Sequence, residues 1–254
     1  MWFVLTKTRF DRIFGTVLQG KPQLRKGQDR KDLATYTICE AARYLGISER
    51  TANYWFSPKN QILRPSAYAG VTALLSFNDL SEAYVLALLT KFYNFPMRKL
   101  QTIVDTAKRE TKLPRPLIQT DWKVLFRNLV FEKPARGRRP RQMVDVAHGG
   151  TTVFPELVDQ LGKRIIRDDR RAPEKLYPWR LVEVNDESRP VAIDPDVLSG
   201  RLVVTGTRIP VTVLLAKRRK GRSDEELSRA YQISPEAVCK ALLHIDRPLQ
   251  QKAA

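Results

Sequence analysis

The chain reads as a mainly α protein with a small β-containing middle, and three features carry that reading. Apolar residues recur at helical spacing from Ile38 to Glu110 and again from Val211 to His244. Between these stretches lie short strand-like runs broken by Gly, Pro and Arg. The 254 residues also suffice for more than one module, at roughly 100 to 200 residues per domain. The expected division is a poorly ordered leader over 1–33, a helical head over 34–113, a β-containing connecting and dimerising region over 117–190, and a C-terminal module over 191–246.

The leader begins apolar and passes into QGKPQLRKGQDRKD, which has no period. The segments ICEAARYL, SERTANYWF, LSEAYVLALLTKFYN and PMRKLQTIVDTAKRE each predict a helix. Leu113, Pro114, Arg115 and Pro116 predict a stiff linker, because Pro fixes its own backbone and disfavours helix in the residue before it. WKVLFRNLVFE at 122–132 and RQMVDVAHGG at 141–150 predict a hairpin around the basic loop KPARGRRP. A helix over FPELVDQLGKRI, a polar stretch through DDRRAPEK and a strand in YPWRLVEV follow. From Val191 two short strands precede helices at 211–220, 224–231 and 235–245.

Charge narrows the partners. The net charge is +18, and the excess spreads as +5, +5, +4 and +4 over residues 1–30, 31–118, 119–190 and 191–254, so it belongs to folded parts and not to one tail. Nucleic acid is the leading partner. Two cysteines, Cys39 and Cys239, cannot build a disulfide framework, and a reducing compartment is expected. With His148 and His244 they have no metal-ligand spacing, so no metal or cofactor is expected. No window approaches the roughly 18 apolar residues of a membrane span, and Lys7, Arg9, Asp11 and Arg12 interrupt any signal-like h-region. A cytoplasmic location is expected.

The first motif is ICEAARYLGISERTANYW, residues 38–55. Ala41, Leu45, Ile47, Ala52 and Trp55 have the spacing of two short helices sharing a core, and Ala42 is small where they approach. Gly46 falls at the turn, where positive φ is needed, and Ser48 falls where the second helix needs a cap. This is helix–turn–helix spacing. The second helix then offers Glu49, Arg50, Thr51, Asn53 and Tyr54 outward. Arg pairs with guanine, Asn with adenine, and Thr and Tyr with phosphates or methyl groups. The candidate DNA-binding set is Arg43, Ser48, Arg50, Thr51, Asn53, Tyr54 and Arg64.

Residues 36–55, followed by ILRPSAYAGVTALLSFNDLSEAYVLALL, resemble the DNA-binding domain of the MerR superfamily, in which a helix–turn–helix leads through a wing to two further helices. The resemblance covers about 36–110, and LSFNDLSEAYVLALL with FPMRKLQTIVDTA is its more specific part. It implies a wing near Leu63–Phe77, with Arg64 available to phosphates. The chain departs from the family after Glu110, where no long dimerising helix and no cysteine cluster follows.

A second motif echoes the first. Leu227, Tyr231, Ile233, Val238 and Ala241 repeat the apolar spacing of the head 186 positions later, so the C-terminal module is also expected to be helix–turn–helix-like and trihelical. Gln232 stands at the turn and Ser228 at the position of Ala42. The outward residues are Glu236, Ala237, Cys239 and Lys240, which favours protein contact over groove reading. The neighbouring basic run supplies candidate phosphate contacts at Lys217, Arg218 and Arg219, beside Arg138 and Arg139 of the hairpin loop.

Residues 192–244 are similar to a small bacterial domain first catalogued as of unknown function and commonly encoded beside PIN-like toxin genes. The residues that carry the similarity are Asp194, Pro195 and Asp196, the motif GTRIPV at 206–211 and EELSRAYQISPEAVCKAL. Together with the head, the chain resembles VapB-type antitoxins with a MerR-like head. That resemblance implies a homodimer that represses its own operon on double-stranded DNA and neutralises a PIN-type ribonuclease, with Arg208, Ile209, Tyr231 and Lys240 as candidate protein-interface residues. The alternative is a stand-alone MerR-like regulator without a toxin partner. An enzyme is disfavoured: of Asp145, Asp168, Asp169, Asp194 and Asp196, Asp145 follows an apolar strand and reads as a hairpin-end residue, no further acid sits at a plausible strand end to converge with it on a cation, and His148 has no partner of definable spacing. His244 is read as a helix C-terminal residue interacting with the dipole. Trp2, Trp122 and Trp179 are read as core anchors.

Overall fold

The structure, a computed structural model, describes residues 29–60, 62–92, 96–119, 130–133, 142–145, 151–152, 163–170, 172–178 and 188–246. It is mainly helical with small antiparallel sheets.

The described end of the leader differs from the expectation of disorder. Asp29 accepts a hydrogen bond from the Lys31 amide at 3.0 Å and caps a 3-10 turn at Arg30–Asp32. Arg30 pairs with Asp196 at 3.0 Å and Lys31 with Asp168 at 3.1 Å. The side chains that made this stretch look like a solvated tail hold it against the C-terminal half.

In the head, β1 (Tyr36–Thr37) leads into α1 (Ile38–Leu45) and α2 (Glu49–Phe56). α1 starts in a capping box: Thr37 Oγ1 accepts from the Glu40 amide, and Glu40 accepts from the Thr37 amide at 3.0 Å. Gly46 ends it at φ 61°, the left-handed conformation that closes the turn. Ser48 Oγ caps α2 by accepting from the Thr51 amide at 3.0 Å. β2 (Ala67–Ala69) and β3 (Thr72–Leu75) form a hairpin, and β3 pairs on its other side with β1, opposing Leu75 to Tyr36. α3 (Phe77–Phe92) begins three residues before the expected Leu80, because Ser76 and Asp79 cap each other, with Ser76 N to Asp79 Oδ2 at 2.9 Å and Asp79 N to Ser76 Oγ at 3.2 Å. All residues from Leu80 to Leu89 are buried, as befits a helix enclosed on every side. α4 (Met97–Thr111) packs beside it.

The expected stiff linker is docked. Leu117 and Ile118 of α5 (Pro116–Gln119) are buried against α3 and α4. Arg115 reaches two carboxylates of α3, Asp79 and Glu82, each at 2.8 Å.

In the middle, β4 (Val130–Lys133) pairs antiparallel with β5 (Gln142–Asp145), which gives the expected hairpin, and β6 (Thr151–Thr152) extends it on the β5 side. Asp145 ends β5. Trp2, Trp122, His148, Arg138, Arg139, Trp179 and most of the expected helix over FPELVDQLGKRI lie outside the described residues. Ile165, assigned to the end of that helix, instead starts β7 (Ile165–Arg167), which pairs with β8 (Pro173–Leu176) inside the supposed polar stretch. Turn chemistry explains the error: Asp168 Oδ1 accepts from the amides of Arg170 and Ala172 at 2.9 and 2.8 Å, and this folds the two strands together over buried Ile165 and Leu176. Tyr177 and Pro178, expected to open a strand, follow β8 without entering one.

The C-terminal module opens with β9 (Val191–Ala192) paired to β10 (Val203–Val204). The GTRIPV turn follows, with Gly206 at φ 77° and Thr207 Oγ1 donating to the Val204 carbonyl at 2.9 Å. Pro210 then caps α6 (Val211–Arg218), followed by α7 (Asp224–Tyr231) and α8 (Pro235–Asp246). The echo extends to backbone detail. α7 lies 186 residues after α1 end for end, Ser223 and Glu226 repeat the capping box, and Gln232 takes the left-handed turn at φ 55°. Ser234 caps α8 through the Ala237 amide as Ser48 caps α2.

Candidate nucleic-acid interface

α2 has two faces. Ala52, Trp55 and Phe56 are buried, with α1 packed beside the helix and Trp55 Nε1 3.4 Å from Met97 Sδ of α4, whereas Glu49, Arg50, Asn53 and Tyr54 are exposed. Three candidate side chains already have local work. Ser48 Oγ is the helix cap, and the Thr51 hydroxyl lies 2.8 Å from it. Asn53 Nδ2 donates to the Glu49 carbonyl at 2.9 Å, which pre-orients the amide along the helix. Arg50 is exposed, and Tyr54 is 38% accessible with its carbonyl accepting from Asn60 at 3.0 Å. Arg43, on α1, lies against Cys39 Sγ at 3.9 Å. Arg64 is exposed at the base of the hairpin.

The hairpin tip carries residues the sequence reading did not single out. Val71 is 99% exposed and Tyr68 50% exposed, on either side of Gly70 at φ 60°. The run AYAGVTALL, a Gly between two apolar runs, was the available signal. The hairpin is tied to α3 by the buried Asp79 carboxylate, whose Oδ2 accepts from Ser66 N at 2.8 Å and Ser66 Oγ at 2.6 Å as well as from Ser76. Beside it, burial pushes the Glu82 carboxyl up to about 7, with Arg115 opposing and Asp79 reinforcing.

The C-terminal candidates are more encumbered. Arg218 lies 3.5 Å from Asp224 and Arg219 lies 3.1 Å from Asp246, and the Lys217 ammonium sits 5.8 Å from the Tyr231 ring centroid. These exposed pairs contribute little stability, but they reduce the net charge that this loop presents. Arg208 is exposed, Ile209 and Tyr231 pack against the core, and Lys240 pairs with Glu236 at 2.8 Å. His244 sits in the last turn of α8, as expected, but it is also buried, with its Nε2 3.0 Å from the carbonyl of Tyr44 in α1. It contacts the head.

Among the described residues no three His, Cys, Asp or Glu side chains gather as metal ligands, and no helix is long and apolar enough to cross a membrane. Cys39 and Cys239 are free thiols. A pocket of about 320 Å³ opens where the 3-10 turn, β8 and the Asp194–Asp196 loop meet. Two ion pairs cross its lining, Arg30 with Asp196 and Lys175 with Asp194.

The fold is similar to that of the protein in the "X-ray crystal structure of Rv2018 from Mycobacterium tuberculosis", at a TM-score of 0.61 and 22% identity over 84% of this chain and 100% of that one. In sequence the chain is 26% identical, over a 236-residue alignment that covers 84% of this chain and 94% of the other, to a protein named "Putative antitoxin VapB45" from Mycobacterium tuberculosis (strain ATCC 25618 / H37Rv). Residues 191–243 match the family described as Protein of unknown function (DUF433).

Proposed function

We propose that the chain is a DNA-binding antitoxin. In this reading the head is a MerR-like winged helix–turn–helix with α2 as the recognition helix and β2–β3 as the wing, and the region 117–190 makes the homodimer. The trihelical module at 191–246 engages and neutralises a PIN-type ribonuclease, and the chain itself catalyses nothing. The observation that carries the DNA half is the division of α2 into a buried apolar face and an exposed face bearing Arg50, Asn53 and Tyr54, together with a hairpin whose tip is exposed at Tyr68 and Val71. Arg50 would pair with guanine and Asn53 with adenine, while Arg64 and the basic loops would contribute salt-sensitive phosphate contact. One short helix reads few bases, so two heads about 34 Å apart on a palindrome are needed. Support for the antitoxin half is the likeness to the mycobacterial protein named as one, across 84% of this chain.

Two experiments test the halves separately. Selection from a random duplex pool should enrich a palindromic sequence, and Arg50→Ala and Asn53→Ala should each weaken binding to it by about 1 to 3 kcal/mol. A pool that never enriches would refute DNA reading. A PIN-type protein encoded beside this chain should co-purify with it and lose its ribonuclease activity. A neighbour that stays unbound and active would refute the antitoxin half.

A further inference from the structure

The C-terminal module grips α1 at both of its ends. At the start, Tyr36, one residue before the Thr37 cap, donates its hydroxyl to the Gly200 carbonyl at 2.9 Å. At the finish, the carbonyl of Tyr44 accepts from His244 Nε2 at 3.0 Å, and the Tyr44 hydroxyl lies beside the backbone of Leu202. The two tyrosine rings meet edge to face at 6.3 Å between centroids, so they form one socket. All five residues are buried. Gly200 is fitted to the socket: it sits at φ 78°, and a Cβ built on it would fall inside the Tyr36 hydroxyl. The buried residues of the head and of the C-terminal module belong to one apolar cluster. Tyr44 is two residues before Gly46, the turn that aims α2.

We propose that the C-terminal module is a positioning element for the DNA-reading helix, acting through the Tyr36–Gly200 and Tyr44–His244 contacts, so that its docking sets the affinity of the head for DNA. This rests on the reading of α2 as the recognition helix. Coupling is reciprocal: a protein that bound the module and loosened the socket would weaken DNA binding, and one that tightened it would strengthen binding. Neither side needs to touch the other's ligand.

The test uses the full chain and the duplex that the wild type selects from a random pool. Gly200→Ala and His244→Leu should each weaken binding by roughly tenfold, the scale of one lost buried hydrogen bond or a modest coupling. His244→Gln, which keeps a donor near Nε2, should recover most of it. Because no phosphate contact is removed, the slope of log affinity against log salt should stay at the wild-type value. Amide exchange in 38–56 should quicken in His244→Leu while 224–246 stays protected, which separates undocking from unfolding if Gly200→Ala proves unstable. Arg50→Ala is the control for the underlying reading. If Arg50→Ala weakens binding while His244→Leu binds as wild type with unchanged exchange in 38–56, the positioning role is overturned and the recognition helix stands. If Arg50→Ala has no effect, the reading of α2 itself fails.

Discussion

Replacing Glu82 by Gln should flatten the dependence of stability on pH. Glu82 is enclosed in α3, with only 9% of its side chain accessible and its Oε2 2.8 Å from Arg115. Burial is the largest influence on its carboxyl and lifts it from the ordinary 4.5 to about 7. A carboxyl raised in the fold binds its proton more tightly there than in the unfolded chain. The stability it contributes is therefore full below about pH 4.5 and is lost as the pH rises through about 7. The interval is about 2.5 pH units, and at about 1.4 kcal/mol per unit the loss has a ceiling of about 3.5 kcal/mol. Gln cannot ionise, yet its amide oxygen can still accept from Arg115, which keeps Asp79 as its ionic partner. Urea unfolding of both proteins from pH 5 to pH 8, followed by circular dichroism, measures the difference. The variant should gain on the wild type by about 2 to 3 kcal/mol across that range. A difference that stays constant within about 0.5 kcal/mol would show that Glu82 is ionised throughout and that Arg115 outweighs burial.

Three further outcomes follow from the same structure. Asp79→Ala removes the acceptor shared by Ser66 and Ser76 and one partner of Arg115; it should destabilise by about 3 to 5 kcal/mol, measured by denaturant midpoint, and a loss below 1 kcal/mol would refute the anchoring role. Gly46→Ala places a Cβ at φ 61° and should cost about 1 kcal/mol or more in thermal unfolding. The two capping boxes give a matched pair: Thr37→Ala and Ser223→Ala should each cost about 1 kcal/mol, and a neutral Ser223→Ala would mean that the echo is sequence pattern without energetic content.

Much of the secondary structure was legible without coordinates. Helical spacing located α1, α2 and α6 to α8 within a residue or two, since each has local chemistry at its ends, such as Thr37 with Glu40, Ser48, Gly46 and Ser223 with Glu226. The 186-residue echo was visible in five apolar positions, and the structure extended it to the caps and turns. Where the signal was short and polar, it failed. β7 and β8 depend on one aspartate side chain closing a turn, and no periodicity reports that. The exposed face of α2 was legible for the same reason as the helix itself: Ala52, Trp55 and Phe56 leave Arg50, Asn53 and Tyr54 outward at 3.6 residues per turn.

The sequence by itself determined the local parts: helices, caps, turn glycines and the side chains a recognition helix would offer. Only the tertiary structure decided how those parts depend on one another. His244 lies 200 positions from the carbonyl it contacts, Gly200 lies 164 positions from Tyr36, and Arg115 leaves an apparent linker to hold two carboxylates of α3. Such contacts leave no period in the chain, because their geometry is set by packing between elements and not by spacing within one.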